Sequence, residues 1–403
     1  MATGEGTAAA RPASAPAVTW AVIAGLSLCH LLNDVMQSLL AAIYPLLQAE
    51  FTLSFSQIGL MTLAFQVTAS LLQPAVGLAT DRHPFPMALP VGMGSTLAGL
   101  VLLAMAPTYG GLLAGAMLIG IGSAVFHPEA SRVARLASGG KFGTAQSLFQ
   151  VGGNFGSALG PLLAAFIVVP LGRPSVAGFA VLALIGMLVL NRVGLWYGAL
   201  ARAQAGGARL APRHGLGRNR VIWAITVLAV LTFSKNAYTA SLSSYYTFFL
   251  IERFDLSIVV AQQMLFLFLA ATAAGVMLGG LIGDRFGPLV VIWGSILGVL
   301  PFTLLLPHVG LVMTGVLSVV IGMIIASAFP AIVVYAQALL PGRVGLVAGI
   351  FFGFAFGMGG IAAAVLGVLA DARGILWVYQ ACAFLPLLGL MTVFLPSRRR
   401  LAS

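Results

Sequence analysis

Charge is what this 403-residue chain has least of, with Asp, Glu, Lys and Arg making up only 7% of it. A water-solvated domain needs roughly a quarter of its residues charged, so a soluble globule is excluded. Cysteine is also scarce: Cys29 and Cys382 are too few for a disulfide framework and lack the paired spacing of a zinc site. The five histidines are scattered, and the chain has no H-E-x-x-H and no Walker lysine motif. These absences argue against an ATP-driven pump and a zinc hydrolase. Without a nucleophile–base constellation, the chain is not expected to be an enzyme, and neither a cofactor nor a metal is expected.

What the chain has instead is apolar length. Hydrophobic residues account for 60% of it, and its mean hydropathy is +1.06. A helix crosses the hydrocarbon core with about 20 apolar residues, which gives room for twelve spans, near 18–47, 55–79, 86–106, 110–131, 144–169, 175–198, 221–250, 257–281, 288–306, 309–337, 346–370 and 374–395. The apolar runs are continuous rather than alternating, so helices are expected and a barrel is not. The 49 glycines suit close helix packing in lipid. The expected fold class is therefore an all-α integral membrane protein.

An internal repeat divides the spans into two sets of six. Gly77-Leu-Ala-Thr-Asp81-Arg82 returns 203 residues later as Gly280-Leu-Ile-Gly-Asp284-Arg285. Asn33 matches Asn236 and Phe51 matches Phe254 at the same offset. With the offset reduced to 202, Pro128 matches Pro330 and Gly143 matches Gly345. A repeat of this kind fixes the architecture before any single motif is read. The expected organisation is a tail at 1–17, a six-helix bundle at 18–198, a Gly- and Arg-rich linker at 199–219, a second six-helix bundle at 220–396 and a basic tail at 397–403.

Positive charge orients the chain. Arg11, Arg82, Arg132, Arg135, Lys141, Arg192, Arg202, Arg209, Arg213, Arg218, Arg220, Arg285, Arg343 and Arg398 to Arg400 fall on one side, while Arg173, Arg253 and Arg373 fall on the other. Both termini are therefore expected in the cytoplasm. The net charge of +11 follows from this topology, and no nucleic-acid partner is expected.

An ionisable group inside lipid costs about 3 kcal/mol or more, so each one is a functional candidate. His30, Asn33, Asp34 and Gln37 stand at i, i+3, i+4 and i+7 and share one face of span 1. Asp34 is the candidate to hold and release a proton; the alternative is a hydrogen-bonded cluster that only anchors the helix. Span 7 carries Lys235, Tyr238, Thr239 and Tyr246 on one face, from which Lys235 can meet Asp34 or an anionic substrate. Span 4 ends in Phe126-His127-Pro128-Glu129-Ala-Ser-Arg132. There Glu129 is either a second proton site or the partner of Arg132, and His127 lies one step deeper. In span 5, Gln146, Gln150 and Asn154 recur every four residues beside Gly152, Gly153, Gly156 and Gly160-Pro161, where they line a polar path or bind neighbouring helices. The repeated segments place Gly77, Asp81 and Arg82, and again Gly280, Asp284 and Arg285, at the ends of spans 2 and 8. Glycine there allows close approach, and the charges can latch one helix end to another in one of two conformations.

Twelve spans in two homologous halves with these loop motifs resemble the major facilitator superfamily, which implies two pseudo-twofold-related six-helix bundles. Neither copy keeps the basic pair that ends the family's loop motif. Gly156-x-x-x-Gly160-Pro161 is similar to the core of the family's antiporter motif, with Ala164 and Ala165 in place of the following glycines. The runs Phe126-His-Pro-Glu-Ala-Ser-Arg-Val-Ala-Arg135, Ala145-Gln-Ser-Leu-Phe-Gln-Val-Gly-Gly-Asn-Phe-Gly156 and His30-Leu-Leu-Asn33-Asp34 resemble the fosmidomycin-resistance branch. The resemblance implies export of small drug-like compounds in exchange for protons, by alternating access in a bacterial inner membrane. Asp34 and Glu129 would couple the proton, while His30, Asn33, Gln37, His127, Gln150, Asn154, Lys235, Tyr238 and Tyr246 would form the binding cavity. The expected partners are a small-molecule substrate, protons and the bilayer, with the proton gradient as energy source and a monomer as the working unit. Uptake of a nutrient on the same fold is the competing expectation, since fold does not fix function.

Overall fold

The computed structural model describes residues 18–53, 55–204 and 216–396. The expected tails at 1–17 and 397–403, and the central part of the expected linker, lie outside the described residues. Among the described residues there is no strand, and twelve helices are long and apolar enough to cross a membrane. They are α1 (Trp20–Ala42), α2 (Leu60–Arg82), α3 (Ala88–Met105), α4 (Tyr109–Ala137), α5 (Phe142–Leu171), α6 (Arg173–Ala203), α7 (Arg218–Phe254), α8 (Gln263–Phe286), α9 (Pro288–His308), α10 (Leu311–Leu339), α11 (Val344–Arg373) and α12 (Ile375–Phe394). Many run several residues past the expected spans at the arginine-rich side. Beyond the hydrocarbon core water can solvate the helix ends, so hydropathy alone does not mark where a helix stops.

Proline accounts for the interruptions. A proline inside a helix lacks the N–H that would bond four residues back. Pro330 therefore cannot donate to the Ala326 carbonyl, and α10 breaks at Ser327 between two helical pieces. Its repeat mate Pro128 sits in α4 without ending the helix. In α5, Pro161 is followed by a wide π-type turn at Ala164–Val168, a known site of helix bending.

The repeat is visible in the backbone. Thr52 and Asp255, which correspond at the 203-residue offset, are the two non-glycine residues with positive φ among the described residues, at 50° and 52°. Each ends a helix in the left-handed conformation.

Within the N-terminal half, α1 packs along α5, and α4 packs against α2 and α3. The two halves meet chiefly where α2 lies against α11 and α5 against α8. Glycine makes these approaches possible. A Cβ on Gly152, Gly156 or Gly160 of α5 would strike α1 at Ser27, at Leu31 and at Val35 or Ser38 respectively. With no hydrophobic driving force between helices in lipid, such contact between backbones supplies the packing energy. The face of α1 that bears Asp34 is thereby pressed onto α5.

Gly156→Val should lower the thermal midpoint of the purified protein by the equivalent of about 1–3 kcal/mol or more, because the Cβ meets backbone that cannot yield. The outward-facing control Ala158→Val should stay within roughly 0.5 kcal/mol of the parent. Equal midpoints for the two variants would show that the α1–α5 contact is not as close as described.

Candidate functional site

The polar face of α1 closes on two histidines. Asp34 accepts hydrogen bonds from Asn33 Nδ2 at 3.2 Å and Gln37 Nε2 at 3.3 Å on one oxygen, and from Ser157 of α5 at 3.4 Å on the other. His30 Nε2 lies 3.5 Å from Oδ2, and His127 Nε2 of α4 lies 3.7 Å from Oδ1. Ser123, one turn before His127, donates to Gln37 Oε1 at 3.0 Å. Both imidazoles are fully buried, Asp34 keeps 8% of its surface exposed, and Gln37 and Ser157 are more open still, so the cluster opens on the carboxylate's side and not on the histidines'. Phe149 stacks on His30 at 4.1 Å, and Phe352 and Phe356 of α11 pack against His127 at 5.3 and 5.0 Å. One nitrogen or oxygen atom from each of His30, Asp34 and His127 lies within 4.8 Å of the other two.

His30, Asn33, Asp34, Gln37 and His127 thus form one cluster. Serines 123 and 157 and the aromatic walls complete it; Ser123 was findable as the residue four before His127. Gln150 and Asn154 are half-buried further along α5, and Gln150 Oε1 has no hydrogen-bond partner.

Across the molecule, Lys235 does not pair with Asp34. Its ammonium donates to Asn236 Oδ1 at 3.2 Å and sits 5.4 Å from the Phe329 ring. Phe329 touches Phe352 at 5.0 Å, and Phe352 touches His127, so an aromatic bridge separates the two charges. Among the described residues no carboxylate lies within ion-pair distance of Lys235. Tyr238 and Tyr246 are buried inside the C-terminal bundle with Phe249 and Tyr379. Asn236, Thr239, Ser243 and Ser244 of α7, with Gly359, Gly360 and Ala363 of α11, line a cleft of about 370 Å³.

At the arginine-rich side the repeated segments form two crossed latches. Asp81 at the end of α2 accepts the backbone N–H groups of Gly345 at 2.9 Å and Leu346 at 2.8 Å, at the start of α11. Asp284 at the end of α8 accepts those of Gly143 at 2.7 Å and Thr144 at 2.8 Å, at the start of α5, together with the Thr144 hydroxyl at 2.6 Å. A carboxylate at a helix N-terminus meets unsatisfied N–H donors and the positive end of the helix dipole. Gly77 abuts the Gly345 backbone and Gly280 the Gly143 backbone, where any Cβ would collide. Arg82 and Arg285 are exposed; the cation that reaches a latch is Arg132 of α4, whose Nη1 is 4.0 Å from Asp81. Arg132 also grips both oxygens of Glu129 at 3.0 Å and bonds Tyr197. Glu129 therefore sits in the latch and not beside Asp34. Arg135 and its repeat mate Gln337 bond each other at 3.3 Å, and Gln337 reaches Ser131, which donates to Gln146 at 2.8 Å.

The Major Facilitator Superfamily profile matches residues 26–364. The chain belongs to the major facilitator superfamily. It is 58% identical over 381 residues to the fosmidomycin resistance protein of Escherichia coli strain K12, covering 94% of each chain. It is 39% identical over 380 residues to the uncharacterized MFS-type transporter YfnC of Bacillus subtilis strain 168, covering 93% of each. This places it in the fosmidomycin-resistance branch, whose members are transporters and not enzymes. Two superfamily structures share its fold. FucP in the outward conformation aligns with a TM-score of 0.71 at 18% identity, over 93% of this chain and 98% of that one. The human organic anion transporter MFSD10 aligns with a TM-score of 0.74 at 16% identity, over 96% and 100%.

Each latch carboxylate makes charge-assisted bonds worth about 1.5–3 kcal/mol apiece. Asp284→Ala should therefore loosen the contact between the two halves at the arginine-rich side. Spin labels at Arg82 and Arg343 should show one short distance in the parent transporter and a longer one in the variant. An unchanged distance distribution would remove the latch role.

Proposed function

We propose that this transporter exports small drug-like compounds carrying an anionic group, in exchange for protons, by alternating access across a bacterial inner membrane with both termini in the cytoplasm. The observation that carries the reading is the Asp34 cluster: a carboxylate held by neutral donors beside two imidazoles, with one edge exposed, in the middle of a membrane helix. A buried ionisable site of this kind in lipid marks an ion or proton pathway. The kinship with the fosmidomycin resistance protein supports export of a compound of that chemistry.

The arrangement suggests how the two loads exclude each other. Lys235 has no carboxylate partner among the described residues and can meet the anionic end of a substrate, while ionised Asp34 can accept from a donor group elsewhere on it. A proton bound at the Asp34 cluster cancels its charge and removes that acceptor. Substrate entering from the cytoplasm would expel the proton, and a proton entering from outside would expel the substrate. The latches, on the arginine-rich side, hold the cytoplasmic entrance shut. Glu129, gripped by Arg132 at both oxygens, belongs to this gate in our reading, which leaves Asp34 as the coupling carboxylate. Gln150 and Asn154 on α5 and the Asn236–Ser244 face of α7 would extend the cavity.

In proteoliposomes with an imposed pH gradient, Asp34→Asn should abolish gradient-driven fosmidomycin export. Lys235→Ala should weaken the apparent affinity for fosmidomycin by about tenfold or more, roughly 1.4 kcal/mol, with a smaller effect on an uncharged analogue. Export at the parental rate by Asp34→Asn would overturn the coupling assignment. Movement of substrate in the same direction as the protons would overturn antiport.

A further inference from the structure

The histidine pair next to Asp34 carries information that hydrogen bonding makes explicit. His30 Nδ1 lies 2.7 Å from the Phe149 carbonyl oxygen, and His127 Nδ1 lies 2.9 Å from the Ser123 carbonyl oxygen. A carbonyl only accepts, and Ser123 Oγ, 3.2 Å from His127 Nδ1, gives its one hydrogen to Gln37 Oε1 and so can only accept there as well, so each Nδ1 carries its hydrogen. A neutral imidazole with a protonated Nδ1 has a bare lone pair on Nε2. Yet the two Nε2 atoms face each other at 3.2 Å, a hydrogen-bond distance with no donor between them. Two buried lone pairs at that separation repel unless a cation stands between them.

The surroundings select a cation of single charge. Both rings are fully buried, and among the described residues the one charge within ion-pair distance of their Nε2 atoms is the Asp34 carboxylate, at 3.5 and 3.7 Å. One added positive charge makes the cluster neutral, whereas a divalent ion would leave net charge in a low-dielectric interior. The other groups around the rings are uncharged. From α1 they are Asn33 and Gln37, from α4 Ser123 and Phe126, from α5 Phe149 and Ser157, and from α11 Phe352 and Phe356. Glu129 and Arg132, further along α4, are engaged with each other, and Lys235 lies beyond Phe329 and Phe352.

We propose that His30 and His127 hold one proton between their Nε2 atoms, with Asp34 as its counter-ion. This deepens the export reading and rests on it only for the claim that this proton is the one exchanged. The site is then a pair acting as a unit: neither ring alone reproduces it, and the two rings together take up one proton, not two. Asp34 stays ionised in the loaded state and is freed for substrate when the shared proton leaves.

The test is a proton count on the purified, lipid-reconstituted full chain, comparing the parent with His30→Gln, His127→Gln and the double variant. Thermal midpoints confirm that each variant is folded, and ¹⁵N-histidine NMR is recorded on the same samples. The expected result is that each single variant and the double variant lose the same one proton per protein. In the parent, both rings should show a shared-proton nitrogen signal that disappears from the remaining ring when either partner is replaced. A loss of two protons in the double variant, with one in each single variant, would show independent histidines and overturn the proposal. Bare Nε2 signals from both rings throughout the pH range of transport would also overturn it, as would a stoichiometric transition metal in the parent that is absent from the variants. Failure of the export reading is separable: the shared proton would then be counted in a protein that moves no fosmidomycin. If export is intact but the proton count is not as expected, only this inference fails.

Discussion

A carboxylate cannot be left unpartnered in hydrocarbon, and much of the N-terminal half is arranged around that constraint at Asp34. Its cost is met by Asn33, Gln37 and Ser157, by the His30 and His127 rings, and by the close approach of α5 that brings Ser157 within reach. That approach exists because Gly152, Gly156 and Gly160 carry no side chain. The glycines resembling the antiporter motif therefore act on the site through geometry: they set how near α1 and α5 lie, and so how completely the carboxylate is enclosed. A larger residue there would change the electrostatics of the site by displacing α1, without adding or removing a charge.

The pseudo-twofold repeat separates frame from site. What is retained in both halves is mechanical: the Gly77–Gly345 and Gly143–Gly280 contacts, the Asp81 and Asp284 helix caps, and the left-handed turns at Thr52 and Asp255. What differs is chemical. Asp34 has Ala237 at the corresponding position, and Lys235 has Leu32. Each latch joins the end of a helix in one half to the start of a helix in the other, so the two release together if the halves rotate about a common axis. The Glu129–Arg132–Tyr197 group is added to one latch only, the positions that match Glu129 and Arg132 at the 202-residue offset being Ala331 and Val334. The contacts between the halves on this side are therefore symmetric in their caps and asymmetric in their charges.

Much of this was legible in the sequence because lipid imposes a simple code. Continuous apolar runs gave the spans, the repeat gave the two bundles, and the i, i+3, i+4, i+7 spacing put His30, Asn33, Asp34 and Gln37 on one face. Less legible were partners set by tertiary packing. The glycine and aspartate of each repeated segment pointed to a latch, but nothing local indicated that the aspartate would cap a helix in the other half, or that Arg132 would supply the cation and not Arg82. On α7 two faces carry polar groups, and periodicity cannot say which one a neighbour covers. Tyr238 and Tyr246 turn into the bundle, while Asn236, Thr239, Ser243 and Ser244 line the cleft. Glu129 was ambiguous for a similar reason: the i, i+3 spacing to Arg132 allowed an ion pair, and the packing of Tyr197 against that arginine fixed it.

In the proposed cycle, substrate and proton compete for the Asp34 cluster. The most direct measurement is the pH change when fosmidomycin is added to the purified transporter in weakly buffered detergent solution. Competition predicts release of protons into solution, saturating with substrate and absent in Asp34→Asn. Proton uptake on addition, or saturable binding with no proton movement in the parent protein, would contradict it.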